Sequence, residues 1–215
     1  MSATYGVILR FFQALSAILA LAGAAQARPL KVLAFGDSLT AGYNLSAAAA
    51  FPAQLEKRLR ADGFDVVVTN AGVSGDTSAG GLERLDFALG DGADLVIVEL
   101  GANDMLRGMD PAATKVNLAQ ILGKVREKGA RPLIAGMTAA GNFGPDYKKA
   151  FDAVFPDLAR ETGAPLYPFF LEGVAGDAKL SLGDGMHPNA DGVARIVKGL
   201  APLVETTLRD LRAEK

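Results

Sequence analysis

The chain holds one histidine, His187, in the run Asp184-Gly185-Met186-His187-Pro188, and no cysteine. That pairing excludes a thiolate nucleophile, a cysteine-rich zinc site and a two-histidine metal site. An enzyme that needs a base near neutral pH would have to draw on this imidazole. Asp184 precedes it at a spacing where a carboxylate, in a single turn, can accept one ring N–H. That contact would fix the tautomer and favour the imidazolium as it forms. The other ring nitrogen is then free for a hydroxyl. Ser38, in Phe35-Gly36-Asp37-Ser38-Leu39, follows an apolar run and is the hydroxyl such a base could activate. A turn from strand to helix would present its side chain and leave backbone N–H groups unpaired at the same place. Gly72 allows close backbone approach and Asn103 offers a side-chain amide. Ser38, Gly72 and Asn103 could therefore donate together to an oxyanion.

Each of these signals has a plainer reading. Asp and Ser are favoured helix N-caps, Asp184 could cap a turn beside a half-buried His187, and Asn, Gly and Asp are common turn formers. Gly72-Val73-Ser74-Gly75 looks like a nucleophile elbow, but the second glycine follows the serine directly, so Ser74 is not taken as a nucleophile. The case rests on whether distant loops converge.

Short apolar runs that would carry those loops lie at Leu30 to Phe35, Asp65 to Thr69, Asp94 to Leu100, Pro132 to Met137 and, more weakly, Pro165 to Phe170. Amphipathic stretches alternate with them. Phe51 to Ala61 opens with Phe51-Pro52 and carries Leu55 and Leu59. Ala79 to Leu89 carries Leu82 and Leu85. Pro111 to Lys128 carries Val116, Leu118, Ile121, Leu122 and Val125. Asp146 to Thr162 carries Phe151, Val154 and Phe155, with a kink or break expected at Pro156. Asn189 to Leu211 closes the chain, with Pro202 as a kink point. Strands alternating with helices, the strands nearly continuous in apolar residues, predict an α/β fold. The expected form is a parallel sheet covered on both faces, a three-layer sandwich. In such sheets sites form at the carboxyl ends of the strands, where the Ser38, Gly72 and Asn103 segments fall.

The first residues predict export. Residues 1–27 carry one charge, Arg10, then an apolar segment, and end in Ala25-Gln26-Ala27, a small-x-small cleavage pattern. The apolar core is short for the roughly 20 residues of a membrane span. The expectation is a signal peptide over 1–27 and one domain over 28–215, periplasmic or secreted, with no stable membrane span after cleavage. Without Arg10, 21 basic residues face 24 acidic ones. That balance gives no basic surplus for nucleic acid. An exported chain without cysteine must be stabilised by its core. Nothing in the sequence fixes an oligomeric state.

Taken together, Gly36-Asp37-Ser38-Leu39, Gly72, Gly101-Ala102-Asn103-Asp104 and Asp184-Gly185-Met186-His187-Pro188 resemble the SGNH, or GDSL, hydrolases across essentially the whole of residues 28–215. The longer blocks Ala34–Tyr43, Asn70–Thr77 and Glu99–Gly108 are similar to the branch of bacterial periplasmic arylesterases and multifunctional acyl-CoA thioesterase–lysophospholipases. The resemblance implies a flavodoxin-like sheet in order 2-1-3-4-5. It implies Ser38 as nucleophile, His187 as base, Asp184 as its orienter, and an oxyanion hole of Ser38, Gly72 and Asn103. It also implies no metal or organic cofactor, and ester, thioester or lipid substrates of small size. Met105, Leu106, Met109 and Phe143 are expected to line the acyl pocket. The glycine-rich stretch Thr138–Pro145 departs from the thioesterase pattern and leaves chain length open. Alternatives are a carbohydrate O-acetylesterase on the same site, a non-catalytic exported binding domain, and an anion binder at Gly72–Gly75 that lacks a Walker-type lysine.

Overall fold

The computed structural model describes residues 28–90 and 92–214. The expected leader, residues 1–27, lies outside the described residues. Five strands form one parallel sheet: β1 (Leu30–Gly36), β2 (Val66–Gly72), β3 (Leu95–Glu99), β4 (Arg131–Ala135) and β5 (Leu166–Tyr167), in order β2-β1-β3-β4-β5. Helices join them: α1 (Ser38–Ala41), α2 (Phe51–Ala61), α3 (Ser78–Leu89), α4 (Ala102–Leu106), α5 (Pro111–Glu127), α6 (Pro145–Thr162) and α7 (Ala190–Ala213). Packing of α2 on α7, and of α3 and α6 on α5, gives two helical layers around the sheet. Among the described residues no helix is long and apolar enough to cross a membrane.

The strand residues follow from this layering. Every residue of β3 and all but the first of β4 are buried, so their runs are continuously apolar. β2 is an edge strand, and it alternates buried Val66 and Val68 with exposed Val67 and Thr69. It also runs further than its apolar run predicts. Asn70, Ala71 and Gly72 continue the ladder, with Gly72 opposite Gly36. β5 is shorter than expected, because Pro168 has no N–H to extend the ladder.

Helix boundaries obey their end signals. Pro111 stands in the first turn of α5, and the Asp110 carboxylate accepts from the Ala112 N–H. Pro156 sits inside α6, which nonetheless runs unbroken. Phe151, Val154, Phe155 and Leu158 are buried around it, and that burial offsets the lost backbone bond. Pro202 is likewise held within α7. Val116 was expected in the core and is 55 % exposed, while Thr114 takes the buried position beside Leu118.

The strand order places a topological switch between β1 and β3. Loops leaving those two strands diverge to opposite faces and open a crevice at their carboxyl ends.

Candidate active site

Ser38 is the first residue of α1, directly beyond β1. Asp37, not Ser38, is the cap: its Oδ1 accepts from the Leu39 N–H at 2.9 Å. The Ser38 hydroxyl is therefore free of capping. Its backbone N–H, in a first helical turn, has no acceptor among the described residues.

His187 comes from a loop tied down on both sides. Ser181 pairs with Pro188 in an antiparallel bridge, and the Leu182 N–H donates to the His187 carbonyl at 2.7 Å. Asn189 then caps α7, accepting from the N–H groups of Asp191 and Gly192. Within the loop, Asp184 Oδ1 accepts from the N–H groups of Met186 and His187, both at 3.0 Å, and Oδ2 lies 2.7 Å from His187 Nδ1. The two backbone donors, led by that of His187, and then the ring hold the Asp184 carboxyl down to about 2. An ionised carboxylate only accepts, so Nδ1 carries the ring proton. Nε2 is left as an acceptor, and it stands 2.9 Å from Ser38 Oγ.

Asn103 is the second residue of α4, which follows β3. Its Nδ2 donates to Asp37 Oδ2 and to the Asp76 carbonyl, both at 2.9 Å. Next to it, the buried Asp104 accepts from the Ser78 N–H, the Ser78 hydroxyl and the Thr114 hydroxyl, which joins α4 to α3 and α5. Arg84 makes a matching tie beneath the loop after β2. It pairs with Asp76, donates to the Ala71 and Gly36 carbonyls at 2.9 and 2.8 Å, and lies over the Phe35 ring.

Gly72 is not at the site. As the last residue of β2 it lies in the ladder, and its N–H donates to Asn70 Oδ1 at 3.0 Å. A Cβ there would stand 2.2 Å from the Ala41 nitrogen, so glycine is needed for the close approach of α1 to the strand end. Gly75, three residues on, lines the cavity beside Ser38. Its carbonyl accepts from Arg107 at 2.9 Å, and among the described residues its N–H has no acceptor. By composition Asn70–Gly72 look like a turn, and only their pairing with β1 shows that the loop starts at Val73.

Behind Ser38 lie two buried carboxyls. Burial pushes Asp37 up to about 6, against the opposing donors Leu39 and Asn103. Glu99, at the end of β3, is raised well above the usual range by burial and by Asp37. Its Oε2 accepts from the Thr40 hydroxyl at 2.8 Å, while Oε1 has no partner among the described residues.

A cavity of about 760 Å³ opens at Ser38, His187 and Asn103. That is the size of an ordinary small-ligand site. Met105 and Leu106 line it, and Met109 and Phe143 do not. The Phe143 ring covers Gly108 and packs on Tyr147, and the Met109 carbonyl accepts from the Tyr147 hydroxyl, so both belong to the seam between α4 and α6. Tyr43, Met137, Phe169 and Met186 supply apolar wall that the sequence reading missed. Their signal is position, since Met137 and Phe169 follow the carboxyl ends of β4 and β5. Among the described residues there is no cluster of three or more His, Cys, Asp or Glu that could hold a metal ion.

Residues 34–195 match the model of the GDSL-like Lipase/Acylhydrolase family. Esterase TesA of Pseudomonas aeruginosa is 41% identical over 85% of this chain and 92% of its own length. Thioesterase 1/protease 1/lysophospholipase L1 of Escherichia coli K12 is 43% identical over 80% of this chain and 84% of its own. Among solved structures, the psychrotrophic esterase EstA of Pseudoalteromonas sp., inhibited by monoethylphosphonate, superposes with a TM-score of 0.79 at 32% identity. It covers 83% of this chain and 98% of that one.

Proposed function

The chain belongs to the GDSL-like lipase/acylhydrolase family, and from that premise we propose that it is a serine esterase working through Ser38, His187 and Asp184. The single observation that carries this reading is the line of contacts from Ser38 Oγ to His187 Nε2 at 2.9 Å and from His187 Nδ1 to Asp184 Oδ2 at 2.7 Å.

Ser38 Oγ attacks the ester carbonyl as its proton passes to Nε2. The imidazolium is stabilised by Asp184, which stays ionised because its carboxyl is held to about 2. Charge gathers on the former carbonyl oxygen, where the N–H groups of Ser38 and Gly75 and the amide of Asn103 receive it. Asn103 turns one N–H from Asp37 toward that oxygen. The imidazolium then protonates the leaving alcohol or thiol. Water, deprotonated by the same nitrogen, releases the acid and restores Ser38.

The wall formed by Met105, Leu106, Met137 and Phe169 suits an apolar acyl group better than a glycan acetate. The proposed substrates are therefore aryl and short-to-medium acyl esters, extended to thioesters and lysophospholipids by the 43% identity to thioesterase 1/protease 1/lysophospholipase L1. The expected leader makes the enzyme periplasmic or secreted. Initial rates over p-nitrophenyl esters of rising chain length, beside acyl-CoA and lysophospholipid, test the activity. No hydrolysis of any of them by the folded protein would overturn the proposal.

A further inference from the structure

The imidazole of His187 has a third neighbour besides Asp184 and Ser38. The Tyr43 ring lies with its centroid 4.4 Å from that of His187, the planes tilted by 33°. Tyr43 also lines the cavity, and it is 42 % exposed.

The backbone is shaped to put it there. Tyr43 follows Ser38 by little more than one helical turn, and its N–H donates to the Ser38 carbonyl at 3.1 Å. The residues on either side of it are both left-handed, Gly42 at φ 81° and Asn44 at φ 55°. A Cβ on Gly42 would stand 2.5 Å from the Ala50 Cβ, so only glycine fits the first position. At the second, an asparagine accepts a conformation that is costly for L residues. Strain of this kind persists where surrounding structure fixes it, and it gathers at functional positions.

We infer that Tyr43 is a positioning residue for His187: its ring holds the imidazole in the plane that reaches both Ser38 and Asp184, and it stabilises the imidazolium formed when Ser38 gives up its proton. The inference rests on the esterase reading above. An aromatic face attracts a cation and has much weaker hold on a neutral ring. The contact therefore strengthens as the proton moves to Nε2, which is the condition for an interaction to speed the chemical step. Three other groups face the imidazole: Asp184 at Nδ1, the Ser38 hydroxyl at Nε2, and the buried Asp37 carboxyl behind Ser38, which also feels the imidazolium charge. All three are kept when only Tyr43 is changed.

His187 is the only imidazole in the chain, so its titration can be followed by NMR without assignment ambiguity. Tyr43→Leu should lower the midpoint of that titration by about half a pH unit, while Tyr43→Phe, which keeps the ring face, should leave it in place. The acid limb of kcat/KM on p-nitrophenyl butyrate should move in the same direction, with kcat reduced and KM unchanged. Tyr43→Met gives a second aliphatic variant should the leucine protein not fold. A midpoint that stays put in the aliphatic variants, or that falls equally in Tyr43→Phe, overturns the inference. So does a change confined to KM, which would make Tyr43 plain cavity wall. The titration does not depend on turnover. Retained hydrolysis in a Ser38→Ala protein would therefore overturn the esterase reading and leave the Tyr43–His187 result legible on its own.

Discussion

Ser38 Oγ and His187 Nε2 stand 2.9 Å apart across 149 residues of sequence. Neither side chain is placed by its own neighbours alone. β1 and the Asp37 cap deliver the serine, while the Ser181–Pro188 bridge and the Asn189 cap deliver the histidine. The hydroxyl lies on a rigid first helical turn and has no capping duty, so its loss should leave the fold intact. Ser38→Ala is expected to lower kcat/KM on p-nitrophenyl acetate by on the order of 10⁴-fold or more, with an unchanged thermal unfolding midpoint. The same change should abolish labelling by a fluorophosphonate. A labelled Ser38→Ala protein would move the nucleophile elsewhere.

Asp184 tests the orientation of the ring separately from its presence. Asp184→Asn keeps an acceptor oxygen for the backbone donors Met186 and His187, so the turn should persist. The amide favours the wrong ring tautomer and cannot stabilise imidazolium. The expected loss in kcat is on the order of 10³–10⁴-fold, with KM little changed. Retention of most of the parent's rate would show that the Asp184 contact is structural.

The proposed oxyanion donors carry a sharper expectation. Asn103→Ala removes a side-chain donor and should cost on the order of 10²–10³ in kcat. It also strips Asp37 Oδ2 of its partner, so circular dichroism and a melting curve must accompany the kinetics. Gly72→Ala should act through stability, because its Cβ would be driven against the α1 backbone. An expected cost of about 1–3 kcal/mol, read by urea unfolding, follows from overpacking. If Gly72→Ala were stable and lost kcat alone, the Gly72 N–H would be the donor after all.

What could be read from the sequence was whatever depends on local pattern and on chemistry. The span of α2 and the buried faces of Leu55 and Leu59 follow from periodicity and a proline in the first turn. Ser38, Asp184 and His187 stood out because the chain has a single imidazole. The misplacements have a common cause, since each turned on register at an element end. Asn70–Gly72 look like a turn by composition, yet β1 offers a paired strand edge that extends them, and it is Gly75, not Gly72, that lines the cavity beside Ser38. Met109 and Phe143 are apolar and near the right loops, but the rim of α4 and α6 takes them. Val116 fits a helical period, and Thr114 wins the buried site because Asp104 offers its hydroxyl a partner. Tertiary partners of this kind leave no trace in a single sequence.

The cavity wall separates those residues again. Ala139 is buried and lines the cavity, so Ala139→Phe should fill acyl space. Rates on p-nitrophenyl octanoate should fall about tenfold or more, as expected for displacing two or so methylenes at about 0.8 kcal/mol each, while acetate is spared. Phe143→Ser, off the wall, should leave the chain-length profile unchanged. A profile that shifts with Phe143 and not with Ala139 would restore the original assignment of the pocket.

The two buried carboxyls behind Ser38 make stability depend on pH in an unusual direction. A carboxyl raised in the folded state binds protons more tightly there than in the unfolded chain. Its contribution is fully present below the unfolded value near 4 and is lost as pH rises through the folded value. For Asp37 that window runs from about 4 to about 6, and Glu99 extends it upward. Asp184 works in the opposite sense: its carboxyl is lowered to about 2, so its contribution is present above about 4 and lost as pH falls toward 2. Urea unfolding should therefore give a lower free energy at pH 8 than at pH 5, by roughly 1 kcal/mol or more from Asp37, with Glu99 acting in the same direction. Glu99→Gln removes one of the two charges while its amide oxygen can still accept from Thr40. The variant should gain on the parent steadily as pH rises, and the slope between pH 5 and 8 should flatten. A parent whose stability is level or rising over that range would mean that Asp37 and Glu99 ionise without penalty, through water that reaches Glu99 Oε1.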